Sequence, residues 1–265
     1  MAIENFKPTI WRARLLSNLQ KSHVLAGIAN REYEGNITAA GDSVKIGSIG
    51  RVSVNDYNGS INYEELEDAS IKLTVDQEKY FAFKVDDVDA AQSNANQMDE
   101  AMSEASYGLS DASDQFLAGF YTDAGITVTE GAFNSVAVYE TITEVAKRLQ
   151  ENNVPADSPK WMVVKPATYQ KMLLAEIDKS TDNISTLGQG AVMHTMGFDV
   201  FVSNNITNDM AGSYRSLAFV EQILDTESLR LENSFSDAVR GLYVYGGKVI
   251  RPDELVNLDL TIAAE

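Results

Sequence analysis

The sequence predicts an α+β protein in which long β-strands flank one long helix, and three observations support this fold class. Apolar residues recur at every second position over residues 43–85, a period typical of extended β-ribbons. They recur at alternating steps of three and four over residues 88–116, a period typical of an amphipathic helix. Helix and strand patterns then alternate over residues 131–225, and residues 228–262 look rich in β-strands.

The composition is that of a folded globular chain. Of its 265 residues, 44% are hydrophobic and 23% are charged, and none is cysteine, which excludes disulfides and thiolate metal sites. No apolar run approaches the roughly 18 residues that a membrane span needs. Residues 1–7 lack the apolar core of a signal peptide. We therefore expect assembly in a reducing cytoplasm, without a membrane partner.

Charge is distributed unevenly along the chain. Residues 1–31 carry five bases and one acid, for a net charge of +4. Residues 32–130 have a net charge of −15 and residues 131–265 a net charge of −7, so the whole chain reaches −18. A basic end on an acidic body indicates two different electrostatic surroundings. The alternative is an acidic, solubilising surface with a few scattered N-terminal bases.

Two helices are predicted in the N-terminal half. Residues 9–29 form an amphipathic pattern that Thr9 can cap, with Trp11 and Leu15 on its apolar face. The stripe over residues 88–116 corresponds to about 43 Å of helix at 1.5 Å per residue. Four of its nine seam positions are alanine, so a free-standing coiled coil would be weak. A long helix lying across a sheet is the better interpretation.

Between these helices, residues 43–85 are predicted to form long β-hairpins with an acidic tip. The pair Asn58-Gly59 favours a tight turn. An isolated two-stranded ribbon is marginal in water, so its apolar faces need a partner, for which another subunit is a candidate. Phe81 and Phe83, at the base of the ribbon, are the candidate inter-subunit contacts.

The C-terminal half is predicted to alternate helix and strand. The expected elements are a helix at 137–152, a strand at 161–165, a helix from Pro166 to about Ile177, and strands near 197–202 and 217–220. Proline suits the first turn of a helix because its missing N–H would have no partner there.

No constellation of catalytic or metal-binding residues stands out. The two histidines, His23 and His194, have no nucleophile or second ligand at motif spacing. The acids within residues 86–89 precede the long helix, where they complement its dipole better than they would bind a metal. Residues 246–248, Gly-Gly-Lys, lack the spacing of a phosphate loop. We therefore predict no catalytic residue, no cofactor and no metal, and a protein that is not an enzyme.

Three phrases, together with the order of the elements, resemble a known family. They are WMVVKP at residues 161–166, GFDVFVSNNI at residues 197–206 and DAVRGLYVYGGKVIRP at residues 237–252. In this order they are similar to the major capsid proteins of tailed bacteriophages, which have the Hong Kong 97-type fold. The resemblance covers nearly the whole chain.

The resemblance implies a division of the chain into named regions. Residues 1–31 would be an N-terminal arm and residues 32–85 an extended β-ribbon loop that lies over a neighbouring subunit. Residues 86–132 and 226–265 would form a peripheral domain with the spine helix, and residues 133–225 an axial domain around the capsomer axes.

It also implies a function and a set of partners. The chain would assemble with itself into hexamers and pentamers of an icosahedral shell, built in the host cytoplasm and found in the virion. A separate scaffolding protein, a portal and non-specifically contacted double-stranded DNA are the further expected partners. The alternatives are an encapsulin-type nanocompartment shell of the same fold with a protein cargo and, unrelated to this fold, a cytoplasmic metal-dependent hydrolase.

The bases of the arm are the candidate DNA-facing or inter-subunit residues. Arg12, Arg14 and Lys21 lie in the only net-positive region, which is also predicted to be helical. A shell packed with DNA needs an inner surface that does not repel phosphate strongly. We therefore expect these side chains to face the interior or a neighbouring subunit, and the acidic ribbon tip to face outward.

Overall fold

The structure, a computed structural model, arranges the residues that it describes into three β-sheets and the helices packed on them. It describes residues 24–32, 43–49, 68–86, 96–134, 136–155, 157–175, 193–230 and 236–262. The helices are α1 (Leu25–Ile28), α2 (Asn96–Ala118), α3 (Ala137–Glu151) and α4 (Pro166–Leu174), with 3-10 turns at Gly119–Asp123 and Pro252–Glu254. The strands are β1 (Ser43–Ile49), β2 (Asp68–Thr74), β3 (Gln77–Asp86), β4 (Ile126–Phe133), β5 (Lys160–Val164), β6 (Met193–Thr195), β7 (Phe198–Val202), β8 (Asp209–Ser213), β9 (Leu217–Arg230), β10 (Ser236–Val249) and β11 (Leu255–Ile262).

The largest sheet has six strands of mixed direction, in the order β4-β11-β8-β5-β7-β6. Its strand β5 is buried along its whole length because both faces of the sheet are covered. Met162 and Val164 pack in a core with α3 on one face. Trp161 and Val163 pack on the other face, in a core that also contains residues of α2 and β10. Successive strand residues alternate between these two cores, as the pleat requires.

Helix α4 begins at Pro166 because a residue of β8 caps it. The backbone N–H of Lys165 donates to Oδ1 of Asp209 at 2.7 Å, and the Thr168 hydroxyl donates to Oδ2 at 2.6 Å. The carboxylate lies at the positive end of the helix dipole. Burial raises the pKa of Asp209 above its ordinary value, against the opposing effect of these two hydrogen bonds.

A smaller antiparallel sheet, in the order β3-β10-β9, carries the long helix. Helix α2 packs across one face of it, where the ring of Phe116 meets Tyr245 edge-on with centroids 5.4 Å apart. Phe219 and Tyr243 are buried in the same core as Leu109 and Leu117 of the helix. The prediction of a long helix lying across a sheet is confirmed.

Two consecutive glycines of β10 let layers approach its backbone from both sides. A Cβ atom on Gly246 would collide with the carbonyl oxygen of Thr74, at the end of β2. A Cβ atom on Gly247 would lie 2.9 Å from Cε2 of Phe120 and 3.0 Å from Cδ2 of Leu117. Because consecutive strand residues face opposite sides, β2 touches one side of β10 and the α2 region touches the other. The glycine pair therefore serves close packing.

The pattern over residues 43–85 predicted long hairpins, and the structure confirms one hairpin and corrects the rest. Strand β1 pairs with β2 antiparallel, with Val44 opposite Leu73. Strand β3 does not continue this hairpin, because it pairs with β10, with Phe83 opposite Val239. Alternation identified each strand but not its partner, since the period of two is the same in either sheet.

The base of the hairpin packs on its own chain. Val44, Leu73 and Val75 are buried against Val220 and Val244 of the three-stranded sheet. The apolar faces do have a partner, as expected, but at the base of the hairpin that partner is the chain's own sheet and not another subunit. A period of two shows that one face of a strand is buried, whereas long-range packing decides what buries it.

Helix α2 confirms the predicted long helix from Asn96 to Ala118, and the predicted residues 88–95 lie outside the described residues. The buried face of the helix is rotated relative to the predicted seam: Ala105 and Ala112, both seam positions, are partly exposed. The residues buried instead, beside Met102 and Leu109, are Ser106, Ser110, Ser113, Asp114 and Leu117. Small serines let the helix lie close to the sheet, where Tyr243 and Tyr245 pack in the same core.

The other predicted elements agree with the structure to within a few residues where they can be compared. The helix predicted at 137–152 is α3, the strand at 161–165 is β5, and the helix beginning at Pro166 is α4. The helix predicted at 9–29 falls mostly outside the described residues, and its last turn is α1. None of the helices within the described ranges is long and apolar enough to cross a membrane.

We expect Gly246→Ala to destabilise the protein by about 1–3 kcal/mol, because the backbone of Thr74 can move aside only by lifting β2 from the sheet. The matched control is Gly131→Ala in β4, where an added Cβ atom meets nothing within 4 Å. Denaturant midpoints of the unassembled protein measure both changes. Equal midpoints for the two variants would contradict the close approach at Gly246.

Candidate assembly site at the root of the N-terminal arm

A buried carboxylate holds the last residues of the predicted N-terminal arm, which we call the arm root (residues 24–31). Asp114 of α2 is 3% exposed. It accepts the backbone N–H of Val24 at 2.8 Å through Oδ2 and that of Ala26 at 3.1 Å through Oδ1. These are donors at the start of α1, which have no partner inside the helix. Asp114 therefore ties the arm root to the long helix, and Leu25 is fully buried beside it.

A second buried acid holds the other end of the arm root. Arg31 forms an ion pair with Glu221 of β9, and its guanidinium lies 5.7 Å from the centroid of the Phe219 ring. The Tyr243 hydroxyl donates to the other oxygen of Glu221 at 2.5 Å. Burial raises the pKa of Tyr243 above its ordinary value, so the phenol keeps the proton that it donates. Arg31, Glu221 and Tyr243 thus join the arm root to the edge strand β9 and the central strand β10 of the smaller sheet.

Backbone pairing completes the attachment. The N–H of Asn30 donates to the carbonyl of Leu217 at 2.8 Å, and the N–H of Phe219 donates to the carbonyl of Asn30 at 3.0 Å. This parallel bridge adds one rung to the outer edge of β9. The arm root is therefore held by two carboxylates and one backbone bridge, which fix where the arm leaves the body.

Of the candidate contact residues predicted from the sequence, the structure describes the two phenylalanines and not the three bases of the arm. Phe81 and Phe83 lie in β3, where their rings stack with centroids 6.2 Å apart. Both are half-buried against the core of their own chain. A contact of either ring with another subunit stays a prediction. Arg12, Arg14 and Lys21 lie outside the described residues.

His194, the histidine that the structure describes, contacts an acid of the neighbouring strand. Nδ1 of His194 lies 2.9 Å from Oδ1 of Asp199, and the Tyr214 hydroxyl donates to Oδ2 of the same carboxylate at 3.1 Å. Burial and the adjacent Asp199 raise the pKa of Tyr214 to about 12. These contacts join β6, β7 and the turn after β8. His23 and residues 87–89 lie outside the described residues. Within the part of the chain that the structure describes, no three acids or histidines lie close enough together to hold a metal ion.

Sequence reasoning missed the residues that hold the arm root. Asp114 sits among apolar seam positions, and the serines at 106, 110 and 113 occur at helical spacing beside it. A polar stripe along one side of an amphipathic helix was the available signal. A stripe of serines and one acid also resembles a solvated face, so this pattern alone does not identify a buried acid. Glu221, within an apolar strand, gave a similar signal.

The chain is similar in sequence and in structure to known proteins that form shells. A family model described as phage capsid protein matches residues 70–258. A structure from Mycobacterium phage Che8 has 29% identity and a TM-score of 0.72, covering 89% of this chain and 90% of that one. The mature capsid of bacteriophage PhiM1 has 14% identity and a TM-score of 0.65, covering 88% and 87%. A virus-like particle from Pyrococcus furiosus has 15% identity and a TM-score of 0.59, covering 97% and 100%. No curated protein matches in sequence.

These likenesses confirm the Hong Kong 97-type fold that the sequence phrases implied. The encapsulin-type alternative is not favoured, because the family model describes phage capsid proteins. The match extends over more than half of the chain and includes α2, α3 and every strand from β3 to β10. The chain therefore belongs to the phage capsid protein family, as a major capsid protein whose place is the shell of the virion.

Proposed function

We propose that this major capsid protein closes into rings of five and six copies, which form an icosahedral shell around the double-stranded DNA of a tailed bacteriophage. The observation that carries the proposal is the fold, which is shared over most of its length with the subunit of a mature phage capsid. One surface that binds a different surface of the next copy generates a closed ring when the rotation is right.

The protein is proposed to act as a building unit and not as a catalyst. Two of its buried acids, Asp114 and Glu221, hold the arm root, and a third, Asp209, caps α4. The exposed His194 is engaged by Asp199. A separate scaffolding protein, a portal and assembly in the host cytoplasm complete the proposal.

The arm is proposed to extend the contacts of the subunit beyond its own body. Residues 1–31 carry the net charge of +4, and the arm root fixes the C-terminal end of this basic segment against α2 and β9. Arg12, Arg14 and Lys21 would then reach either packaged DNA or acids of an adjacent subunit. Contact with DNA would be non-specific and would weaken with salt, because bases that neutralise phosphates release counterions without reading sequence.

Assembly itself is the first test. Purified protein, supplied with its scaffolding protein, should form closed shells or rings of five and six subunits. Sedimentation velocity gives the size of the particles, and electron microscopy gives their shape. A protein that stays monomeric at high concentration with scaffold present would contradict the proposed function.

The second test concerns the arm root. Asp114→Ala should leave the N–H groups of Val24 and Ala26 without acceptors, which costs about 1–3 kcal/mol per buried group. Amide exchange at these two positions should accelerate by roughly tenfold to a hundredfold, and shell yield should fall. Asp123→Ala is the matched control, because this acid is exposed at the end of the 3-10 turn after α2. Unchanged exchange in Asp114→Ala would show that the carboxylate does not hold the arm.

The third test separates the two partners of the basic arm. Arg12→Glu combined with Arg14→Glu should give normal empty shells with impaired DNA retention if the bases face DNA. Failed assembly would indicate a contact between subunits. Arg215→Glu combined with Arg251→Glu, two charge reversals at exposed positions outside the arm, makes the same change in net charge and is the control. Unaltered virions from the double variant would rule out both roles.

A further inference from the structure

A hydrogen bond joins the long helix α2 to the loop that follows β7 of the larger sheet, although 94 positions of the chain separate its two partners. Nδ2 of Asn205 donates to Oδ1 of Asp111 at 2.7 Å, in a partly buried setting. Because the acceptor is a carboxylate, this bond is stronger than one between two neutral groups. We call these two residues the helix–sheet pair.

Both partners of the helix–sheet pair are oriented by their neighbours. Oδ2 of Asp111 accepts Nε2 of Gln115, one turn further along α2, at 2.7 Å. The backbone N–H of Asn205 donates to the hydroxyl of Ser203, a buried residue, at 3.2 Å. The carboxylate and the amide are therefore directed towards each other before the bond forms, and the pair specifies one position of the loop along the helix.

The contacts beside the pair are apolar. Ile206, which follows Asn205, is buried in the same core as Met210 of the larger sheet and Leu109 and Leu117 of the helix. Apolar attraction has no preferred direction, and apolar cores tolerate changes that keep their volume. A hydrogen bond, in contrast, weakens steeply when its distance or angle changes. The core therefore holds the two layers together, and the pair fixes how one lies on the other.

We propose that the helix–sheet pair positions the larger sheet relative to α2 and thereby sets the curvature with which copies close into a shell. The inference rests on the proposed function. In a ring, one surface of a copy binds a different surface of the next, so the angle between these two surfaces decides whether the ring closes. A small error in that angle is repeated in every copy and accumulates around the ring. Asp111 and Asn205 are positioning residues in this sense.

The variants that test this inference change the pair with little change elsewhere. Asn205→Asp replaces the donor with a second carboxylate, which repels Asp111. Asp111→Asn combined with Asn205→Asp, the exchanged pair, keeps the net charge of the parent. In it, the amide at position 111 can donate to the carboxylate at position 205 and still accept from Gln115. Asn204→Asp, at an exposed position of the same loop, adds the same charge as Asn205→Asp and is the matched control.

The orientation is measured in the unassembled protein. Because the chain has no cysteine, spin labels can be attached specifically at Ser103→Cys of α2 and Gln170→Cys of α4, both exposed positions. Helix α4 reports on the larger sheet, since Asp209 of β8 caps it. Pulsed electron paramagnetic resonance gives the distribution of distances between the labels. This distribution should shift or broaden in Asn205→Asp and match the parent in the exchanged pair and in Asn204→Asp.

The curvature is measured by electron microscopy of shells assembled from purified protein. In Asn205→Asp, closed shells of the parent diameter should become several-fold rarer, and open or wrongly sized particles should replace them. The exchanged pair should restore the parent diameter, and Asn204→Asp should keep it. A lower yield of shells with unchanged diameter, together with a lower denaturant midpoint, would indicate a contact that only stabilises the subunit and would overturn the inference.

The outcomes distinguish this inference from the proposed function. If the parent protein forms no shells, the proposed function fails and the role in curvature fails with it, while the distances between the labels still decide the positioning role. If shells form and Asn205→Asp has the distances and the diameter of the parent, the inference is refuted and the shell function stands. A changed distance with shells of unchanged diameter would refute the role in curvature.

Discussion

Strand β10 runs between two layers that both touch its backbone, and the rest of the subunit is organised around this double contact. At Gly246 the end of β2 approaches so closely that a Cβ atom would collide, and at Gly247 the side chains of Leu117 and Phe120 do the same from the opposite face. The hairpin, the smaller sheet and the long helix are thereby stacked at a fixed separation. Because packed cores respond to the addition of a single methyl group, this stack defines the position of every element attached to it.

The arm root uses the same stack as its foundation. Asp114 of α2 and Glu221 of β9 both bind residues of the arm root, so the root is held by two layers at once. A buried charge is costly unless it is paired and hydrogen-bonded. Both acids meet that condition, Asp114 with two backbone N–H donors and Glu221 with Arg31 and Tyr243. The gain lies in fixing one path for the chain, which a purely apolar contact would specify less sharply.

The described part of the subunit leaves one face of the smaller sheet partly uncovered, and this suits a protein that functions in many copies. Within the described residues, one half of the outer face of the smaller sheet is covered by the hairpin, while Tyr80 and Leu242 line the exposed half. A net charge of −18 keeps free copies apart. Contacts between copies that are individually weak then act together when copies are arranged around an axis. Such a balance favours ordered closure over random aggregation.

The sequence by itself determined the elements and the family. A period of two identified β1, β2 and β3, a period of three to four identified α2, and three phrases pointed to the capsid fold. Tertiary structure decided the partners: the pattern of Phe83 fits a hairpin as well as the sheet with β10. Asp114 resembles a solvated acid until the N–H groups of Val24 and Ala26 are brought to it. Backbone geometry determines the period of a helix or strand, so a few neighbouring residues are enough to identify the element. The partner of a strand and the donors to a buried acid lie far away along the chain, so a local sequence pattern does not identify them.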